Sequence, residues 1–124
     1  MTKSIPPTSP ATPSHPQSPA QQAFGTVAPR FAELTDELLF GDIWQRPQLT
    51  ARERSLITVA ALVALNHTAQ LPFHLAKATD NGLSREQLAE LITHLAFYSG
   101  WPCAASALTT LAEQTNPTSN SGGN

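Results

Sequence analysis

The stretch from Thr50 to Leu65 places the strongest constraint on what this chain can fold into. It begins with Thr-Ala-Arg-Glu, a capping box in which Thr50 and Glu53 satisfy each other's free backbone N–H groups, so a helix starts here. Apolar residues then cover nearly the whole circumference of the helix, and a helix that is apolar all round is buried all round. A folded unit of roughly 85 residues can hardly bury such a helix by itself. We therefore predict that it packs partly against another subunit.

The rest of the chain consists of further helical segments separated by clear stops. Prolines suited to a first helical turn predict helices over residues 29–40 and 72–80. A second capping box, Ser-Arg-Glu-Gln, starts a helix over 84–99, and a last helix is expected over 103–113 after the break at 100–102. No stretch shows the alternation of a strand. The prediction is an all-α fold of about five helices.

Composition divides the chain into a central folded segment and two tails. Residues 1–29 contain seven of the eleven prolines and no acidic residue, which is typical of chain that cannot bury enough apolar surface to fold. We predict disorder over residues 1–28 and, for the Gly/Ser-rich end, over 115–124. The folded domain is expected at 29–114.

Charge and cysteine content exclude several classes of function. The net charge is −2 and the pI is near 6.0, which disfavours nucleic acids and anionic membranes as partners. No apolar run approaches the roughly 18 residues of a membrane span, and the N-terminus lacks the apolar core of a signal peptide. One cysteine, Cys103, excludes an intramolecular disulfide framework and makes the cytoplasm the expected compartment.

Several segments in order resemble the carboxymuconolactone decarboxylase family. They are LTARERSLITVAALVAL at 49–65, LPFHLAKA at 71–78, NGLSREQL at 81–88 and ITHLAFYSGWP at 92–102, and the FGDIW segment at 40–44 is also similar. The resemblance implies a compact helical unit built around a helix hairpin, assembled as a homotrimer or homohexamer. It implies decarboxylation of 4-carboxymuconolactone to the enol-lactone of 3-oxoadipate, in protocatechuate breakdown, with no cofactor.

The same family includes alkylhydroperoxidase-like proteins, which carry a Glu, a Cys-x-x-Cys pair and a His. Their Glu falls at Ser55, their cysteines at His67 and Gln70, and their His at His74. Both thiols are absent, so a redox cycle that forms a disulfide is not available here. The remaining thiol chemistry would be a reductase that uses Cys103 alone.

Histidines are the candidate proton donors for such a decarboxylation. Loss of CO2 leaves a dienolate, whose oxygen needs fixed hydrogen-bond donors and whose carbon needs a general acid. His74, at the family's matching position, is the first candidate; His94 is the second, with Glu90 one turn earlier to orient its ring. The competing interpretation of His74 is a core histidine bonded to a backbone carbonyl. That of His94 is a pair with Glu90 on the helix surface. Together with His67 these histidines lack the tight spacing of a zinc motif, so no metal is expected.

Arginine and aromatic residues are the candidates for binding the substrate. A guanidinium suits bidentate capture of a second carboxylate on the substrate, and Arg54 is preferred for this over Arg52 and Arg85. Tyr98 and Trp44 are predicted to line an apolar pocket, where the Tyr98 hydroxyl could donate to an oxyanion. The competing interpretation of both rings is core or interface packing.

Three functions remain open on these grounds. The leading one is a cofactor-free lyase acting on a carboxylated lactone or a related small cyclic acid, with His74 close to an arginine in a pocket shared between subunits. The alternative is a non-catalytic oligomeric protein of the same fold that binds a small metabolite. A thiol reductase using the single cysteine is the third.

Overall fold

The computed structural model describes residues 17–114, and within them all regular structure is helical. The six α-helices are α1 (Pro19–Phe24), α2 (Pro29–Leu34), α3 (Ala51–Ala64), α4 (Leu71–Asp80), α5 (Arg85–Ser99) and α6 (Trp101–Glu113). A π-helix at Thr35–Phe40 and a 3-10 turn at Ile43–Gln45 complete the regular elements of that range. The predicted all-α fold is confirmed. No helix between residues 17 and 114 is long and apolar enough to cross a bilayer.

The chain divides into two compact units, the first ending at Arg46 and the second starting at Pro47. The first unit contains α1, α2, the π-helix and the 3-10 turn; the second contains α3 to α6. The folded domain expected at 29–114 therefore includes parts of both units.

Helix α1 lies inside the segment for which the sequence predicted disorder, and that prediction is wrong for residues 19–24. The Ser18 side chain accepts a hydrogen bond from the backbone N–H of Gln21, and Pro19 occupies the first turn. The Ser18 hydroxyl also donates to the Asp36 carboxylate at 2.8 Å, which ties α1 to the π-helix. The other residues predicted to be disordered, 1–16 and 115–124, lie outside the described residues.

The single helix predicted over 29–40 is divided in the structure. It is α-helical to Leu34 and continues as the π-helix from Thr35, with Gly41 as the residue that follows. The rings of Phe24 and Phe31 meet edge to face, with centroids 5.0 Å apart, and so connect α1 with α2.

The core of the second unit is aliphatic and forms where α3, α4, α5 and α6 meet. Its largest fully buried apolar side chains are Leu71, Leu75, Leu83, Leu88, Ile92, Val59 and Val63. Both predicted capping boxes are present: the Thr50 N–H donates to Glu53 at 2.8 Å, and the Ser84 N–H donates to Gln87 at 2.9 Å. These caps fix where α3 and α5 begin.

All three turns in this unit contain a residue with a positive φ, and two of them close with a backbone hydrogen bond to the preceding helix. After α3, Asn66 has a φ of 60° and the His67 N–H donates to the Leu62 carbonyl at 2.8 Å. After α4, Gly82 has a φ of 105° and the Leu83 N–H donates to the Ala78 carbonyl at 2.9 Å. This 6→1 hydrogen bond is the Schellman pattern.

The turn between α5 and α6 consists of Gly100 alone, whose φ of 107° favours glycine. The sequence placed the start of the last helix at Cys103, but α6 begins at Trp101. The difference arises because Pro102 fits the first turn of a helix, where its missing N–H costs nothing. At the other end of α6, Arg85 donates to the Gln114 carbonyl at 3.1 Å.

Helix α3 is buried on one side only. Ser55, Val59 and Val63 face the core, whereas Leu56 and Ile57 are exposed in the single chain. One chain therefore does not cover the apolar circumference of this helix.

Candidate functional site

A cleft of about 410 Å³ lies between α3 and α5, and we call it the α3–α5 cleft. Its polar residues are Arg52 on α3 and Gln87, Glu90 and His94 on α5. Its apolar walls come from Leu56, Ala60, Leu83, Leu91 and Leu95. This size and this mixture of apolar walls with few polar groups are typical of sites for small molecules.

The cleft has two chemically different ends. The Cδ atom of Arg52 lies 3.8 Å from the point that a Cβ on Gly82 would occupy, so Arg52 sits beside the chain that leads into α5. Gln87, Glu90 and His94 follow on one face of α5 at spacings of three and four residues. Arg52 and Gln87 thus mark one end and His94 the other, with about 10 Å of helix between residues 87 and 94.

His94 is an exposed side chain whose ring stacks on that of Tyr98. The ring centroids are 5.0 Å apart and the planes are inclined by 28°. The structure thus brings together two residues that the sequence proposed separately, as a proton donor and as a pocket aromatic. Glu90 lies one turn before His94, as the sequence indicated, and all three residues are on α5.

His74 lies elsewhere in the second unit, on α4, and does not line the α3–α5 cleft. Its ring is half-buried, with the Nδ1 atom inaccessible to solvent, and meets Phe73 edge to face at 4.9 Å. Burial lowers the pKa of His74, and the positive charge of Lys77 lowers it further. At neutral pH the imidazole is therefore neutral.

Of the two arginines at the start of α3, the structure places Arg52 and not Arg54 in the cleft. Arg54, which the sequence preferred, is half-buried with its Nε inaccessible to solvent, and it does not line the cleft. Arg52, which the sequence ranked lower, does line it together with Leu56, four residues on. This i, i+4 relation was visible in the sequence, but which face of α3 meets α5 is set by tertiary packing.

Trp44 belongs to the first unit, where its ring packs against Phe40 with 5.7 Å between centroids. It is half-buried there. The remaining sequence candidates, His74, His94, Arg54 and Tyr98, all belong to the second unit.

None of the three positions that match the Glu and the two cysteines of the peroxidase pattern carries a redox-active side chain. Ser55 is buried and its Oγ accepts a hydrogen bond from Asn81 at 3.0 Å, while His67 and Gln70 are exposed between α3 and α4. Cys103 is half-buried in the first turn of α6. Across residues 17–114, no three His, Cys, Asp or Glu side chains gather in a group that could hold a metal ion.

Sequence reasoning missed Gln87 as a residue of the site and ranked Arg52 low. Gln87 was assigned only its capping role, which the structure also shows. The available signal was the run of Gln87, Glu90, Leu91 and His94 at helical spacing, which places four cleft residues on one face of α5.

This chain is similar to one known protein family and to two named relatives. The model of the carboxymuconolactone decarboxylase family matches residues 29–113. A protein named 4-carboxymuconolactone decarboxylase from Acinetobacter baylyi is 37% identical over 78 residues, which is 63% of this chain and 58% of the relative. A protein named nitrosuccinic acid decarboxylase from Metarhizium robertsii is 33% identical over 76 residues, 61% of this chain and 53% of the relative. The chain thus spans little more than half the length of these relatives.

Proposed function

This chain belongs to the carboxymuconolactone decarboxylase family, and we propose that it is a cofactor-free lyase that decarboxylates a carboxylated lactone or a related small cyclic acid in the α3–α5 cleft. One observation carries the proposal: a guanidinium, an amide and an imidazole line a single cleft with apolar walls. Both relatives compared above carry the name of a decarboxylase, which supports the same class of reaction.

The reaction needs a group that binds a substrate carboxylate and a group that donates a proton, and these side chains can provide both. When the bond to the carboxylate breaks, its electron pair passes into the conjugated carbonyl and CO2 departs. Arg52 supplies positive charge for a carboxylate of the bound substrate, and His94 donates a proton to a carbon of the resulting dienolate.

In this proposal two neighbours on α5 position His94 for the step. Tyr98 stacks on one face of the imidazole. Glu90, one turn earlier on α5, is at the spacing from which an acidic side chain can orient the imidazole. Both are positioning residues in this proposal.

His74 is a second candidate for the proton or oxyanion donor. The sequence pairs it with Arg54 as the arginine that binds a substrate carboxylate. Burial keeps the imidazole neutral through its lowered pKa, and a neutral ring N–H can donate to an oxyanion. Since His74 does not line the α3–α5 cleft, one set of variants separates the two histidines.

The experiment follows the ultraviolet absorbance of 4-carboxymuconolactone with wild type, His94→Gln, Arg52→Gln, His74→Gln and the control Thr93→Ala. Thr93 is an exposed residue of α5 that does not line the cleft. We expect His94→Gln to lower kcat by about 10²–10⁴-fold, as for loss of a general acid, and Thr93→Ala to leave it unchanged. Full activity in His94→Gln with loss in His74→Gln would move the chemistry to His74.

A non-catalytic metabolite-binding protein is the second candidate, because Arg52 and His94 are exposed in the single chain. Catalytic donors act most strongly where water is excluded. If calorimetry shows that 4-carboxymuconolactone binds, and the absorbance assay shows no loss of it, the non-catalytic function is supported.

We also propose that copies of this chain associate, as a homotrimer or homohexamer. Phe97, Tyr98 and Trp101 are 75%, 78% and 69% exposed, and the Phe97 and Trp101 rings meet edge to face at 6.3 Å. Leu56 and Ile57 on α3 are exposed as well. Apolar surface of this kind supports an interaction between subunits. The cytoplasm stays the proposed compartment, on the argument from the single cysteine.

A further inference from the structure

The side chain of Gln87 is held at the start of α5 by its own capping box. Its Oε1 atom accepts the Ser84 backbone N–H at 2.9 Å, and its backbone N–H donates to the Ser84 hydroxyl at 3.0 Å. Only the oxygen of a side-chain amide accepts a hydrogen bond from an N–H, so this contact fixes which side of the amide faces the helix start. The Nε2 amino group is the side left for a ligand.

That amino group is an unused donor. No protein acceptor among residues 17–114 takes a hydrogen bond from it. Gln87 is exposed in the single chain and lines the α3–α5 cleft, so a molecule that enters the cleft can reach it. Because Oε1 is bonded to the backbone, the donor is held in place before a ligand binds.

The decarboxylation proposed above lacks one group that such a donor supplies. Arg52 is assigned to a substrate carboxylate and His94 to the proton, and the carboxylate form of Glu90 only accepts hydrogen bonds. Departure of CO2 also places negative charge on a carbonyl oxygen of the substrate, and a fixed donor stabilises that charge. Among the four polar residues of the cleft, Gln87 is the donor that has no role yet.

We propose that the Nε2 amino group of Gln87 is the oxyanion donor of the α3–α5 cleft. It donates a hydrogen bond to the carbonyl oxygen that becomes negatively charged as CO2 departs. This role rests on the function proposed above, because it is a step of the same reaction. Gln87 is then a catalytic residue as well as a capping residue.

The step balances with the groups named. The bond between carbon and the leaving carboxylate breaks, and its electron pair passes through the conjugated system to the carbonyl oxygen. The Gln87 amide donates a hydrogen bond to that oxygen and keeps its own protons. His94 then gives a proton to a carbon of the dienolate, where the electron pair forms the new C–H bond, and His94 regains a proton from water.

The other capping box of the chain shows that capping alone does not require an amide. At the start of α3, Glu53 accepts the Thr50 backbone N–H at 2.8 Å, so a glutamate fills the same position there. That backbone hydrogen bond lowers the pKa of Glu53, so at neutral pH the group is a carboxylate with no proton to donate. Glu53 does not line the cleft. The change Gln87→Glu should therefore keep the cap and remove the donor.

The test measures kcat and KM of the full chain with 4-carboxymuconolactone in Gln87→Glu and Gln87→Met, each below its melting transition. We expect both variants to lower kcat by about 10²-fold or more with a smaller change in KM, as for loss of one oxyanion donor. Gln87→Glu should melt at the temperature of the wild type, because its capping box is intact. Gln87→Met adds no charge, so an effect shared by both variants belongs to the missing donor.

Two control variants separate this role from helix capping. Ser84→Ala removes the hydroxyl that caps α5 but keeps the backbone N–H that holds Oε1, so it should lower the melting temperature and leave kcat unchanged. Glu53→Gln makes the reverse exchange in the capping box outside the cleft and should leave kcat unchanged as well.

The possible failures are distinguishable. A wild-type kcat in both Gln87 variants, or a rise in KM alone, would overturn the oxyanion role and retain the lyase. A loss of activity in Gln87→Glu but not in Gln87→Met would assign the effect to the added negative charge and would also overturn the role. Absence of turnover by the wild type would reject the proposed function, and the role of Gln87 with it.

Discussion

The side-chain amide of Asn81 donates a hydrogen bond to the buried hydroxyl of Ser55, with 3.0 Å between Nδ2 and Oγ. This bond joins α3 to the turn that precedes α5, next to Arg52. It therefore helps to fix the end of the α3–α5 cleft where the guanidinium lies.

We expect Ser55→Ala to lower the free energy of unfolding by about 1–2 kcal/mol, because the Asn81 amide loses its buried acceptor. Urea denaturation followed by circular dichroism measures the change. Ser106→Ala, at an exposed position of α6, is the matched control and should shift stability by less than about 0.5 kcal/mol. Equal effects of the two variants would show that the hydrogen bond is not stabilising.

The lowered pKa of His74 predicts that stability falls in acid. In the unfolded chain a histidine has a pKa of about 6.5, whereas burial and then Lys77 lower the pKa of His74 in the folded state. Between the two values the unfolded state binds more protons, so the free energy of unfolding rises with pH. The contribution of His74 is present above about pH 6.5 and is lost as the pH falls towards its folded pKa.

Urea midpoints at pH 8 and pH 5 test this expectation. The wild type should lose more stability between these values than His74→Gln, which cannot take up the proton. His67→Gln, at an exposed histidine, should behave as the wild type does. Identical acid sensitivity in wild type and His74→Gln would contradict the assignment.

The exposed aromatic patch predicts that Phe97→Ser weakens self-association. Phe97 is 75% exposed in the single chain, so its loss should leave the fold intact and act on contacts between copies. Sedimentation velocity should show a smaller species, or a weaker concentration dependence, than wild type. Thr109→Ala on α6 is the control, and a wild-type distribution in Phe97→Ser would exclude this residue from the interface.

Cys103 should be dispensable for decarboxylation. It lies in the first turn of α6 and does not line the α3–α5 cleft. We expect Cys103→Ser to retain the wild-type rate with 4-carboxymuconolactone, in the same absorbance assay. A loss of thiol-dependent reduction in Cys103→Ser, with no decarboxylation by wild type, would instead favour the reductase reading.

Local backbone chemistry explains which parts of the fold were predictable. The capping boxes at Thr50 and Ser84 and the stop at Gly82 involve residues close in sequence, and the structure has helix boundaries there. The same chemistry was available at Ser18-Pro19, where the surrounding proline-rich composition outweighed it, so α1 was missed. The start of α6 lies two residues before the predicted one because Pro102 fits the first turn of a helix and does not interrupt it.

The site was less predictable because it depends on which helix faces meet. His94, Glu90 and Tyr98 share one helix, so their proximity follows from sequence spacing alone. The choice between Arg52 and Arg54 depends on how α3 is rotated against α5, which no local pattern specifies. The roles of these residues, and those of His74 and Trp44, stay predictions for the assays above.

The one-residue turn at Gly100 has a consequence for how this protein can vary. Helices α5 and α6 reverse direction without a loop, and the positive φ of Gly100 disfavours any other residue there. Insertions and deletions in related proteins are accommodated in surface loops, and this corner offers none. Relatives should therefore keep both the length of this corner and its glycine, while their insertions fall in the longer connection between residues 64 and 71.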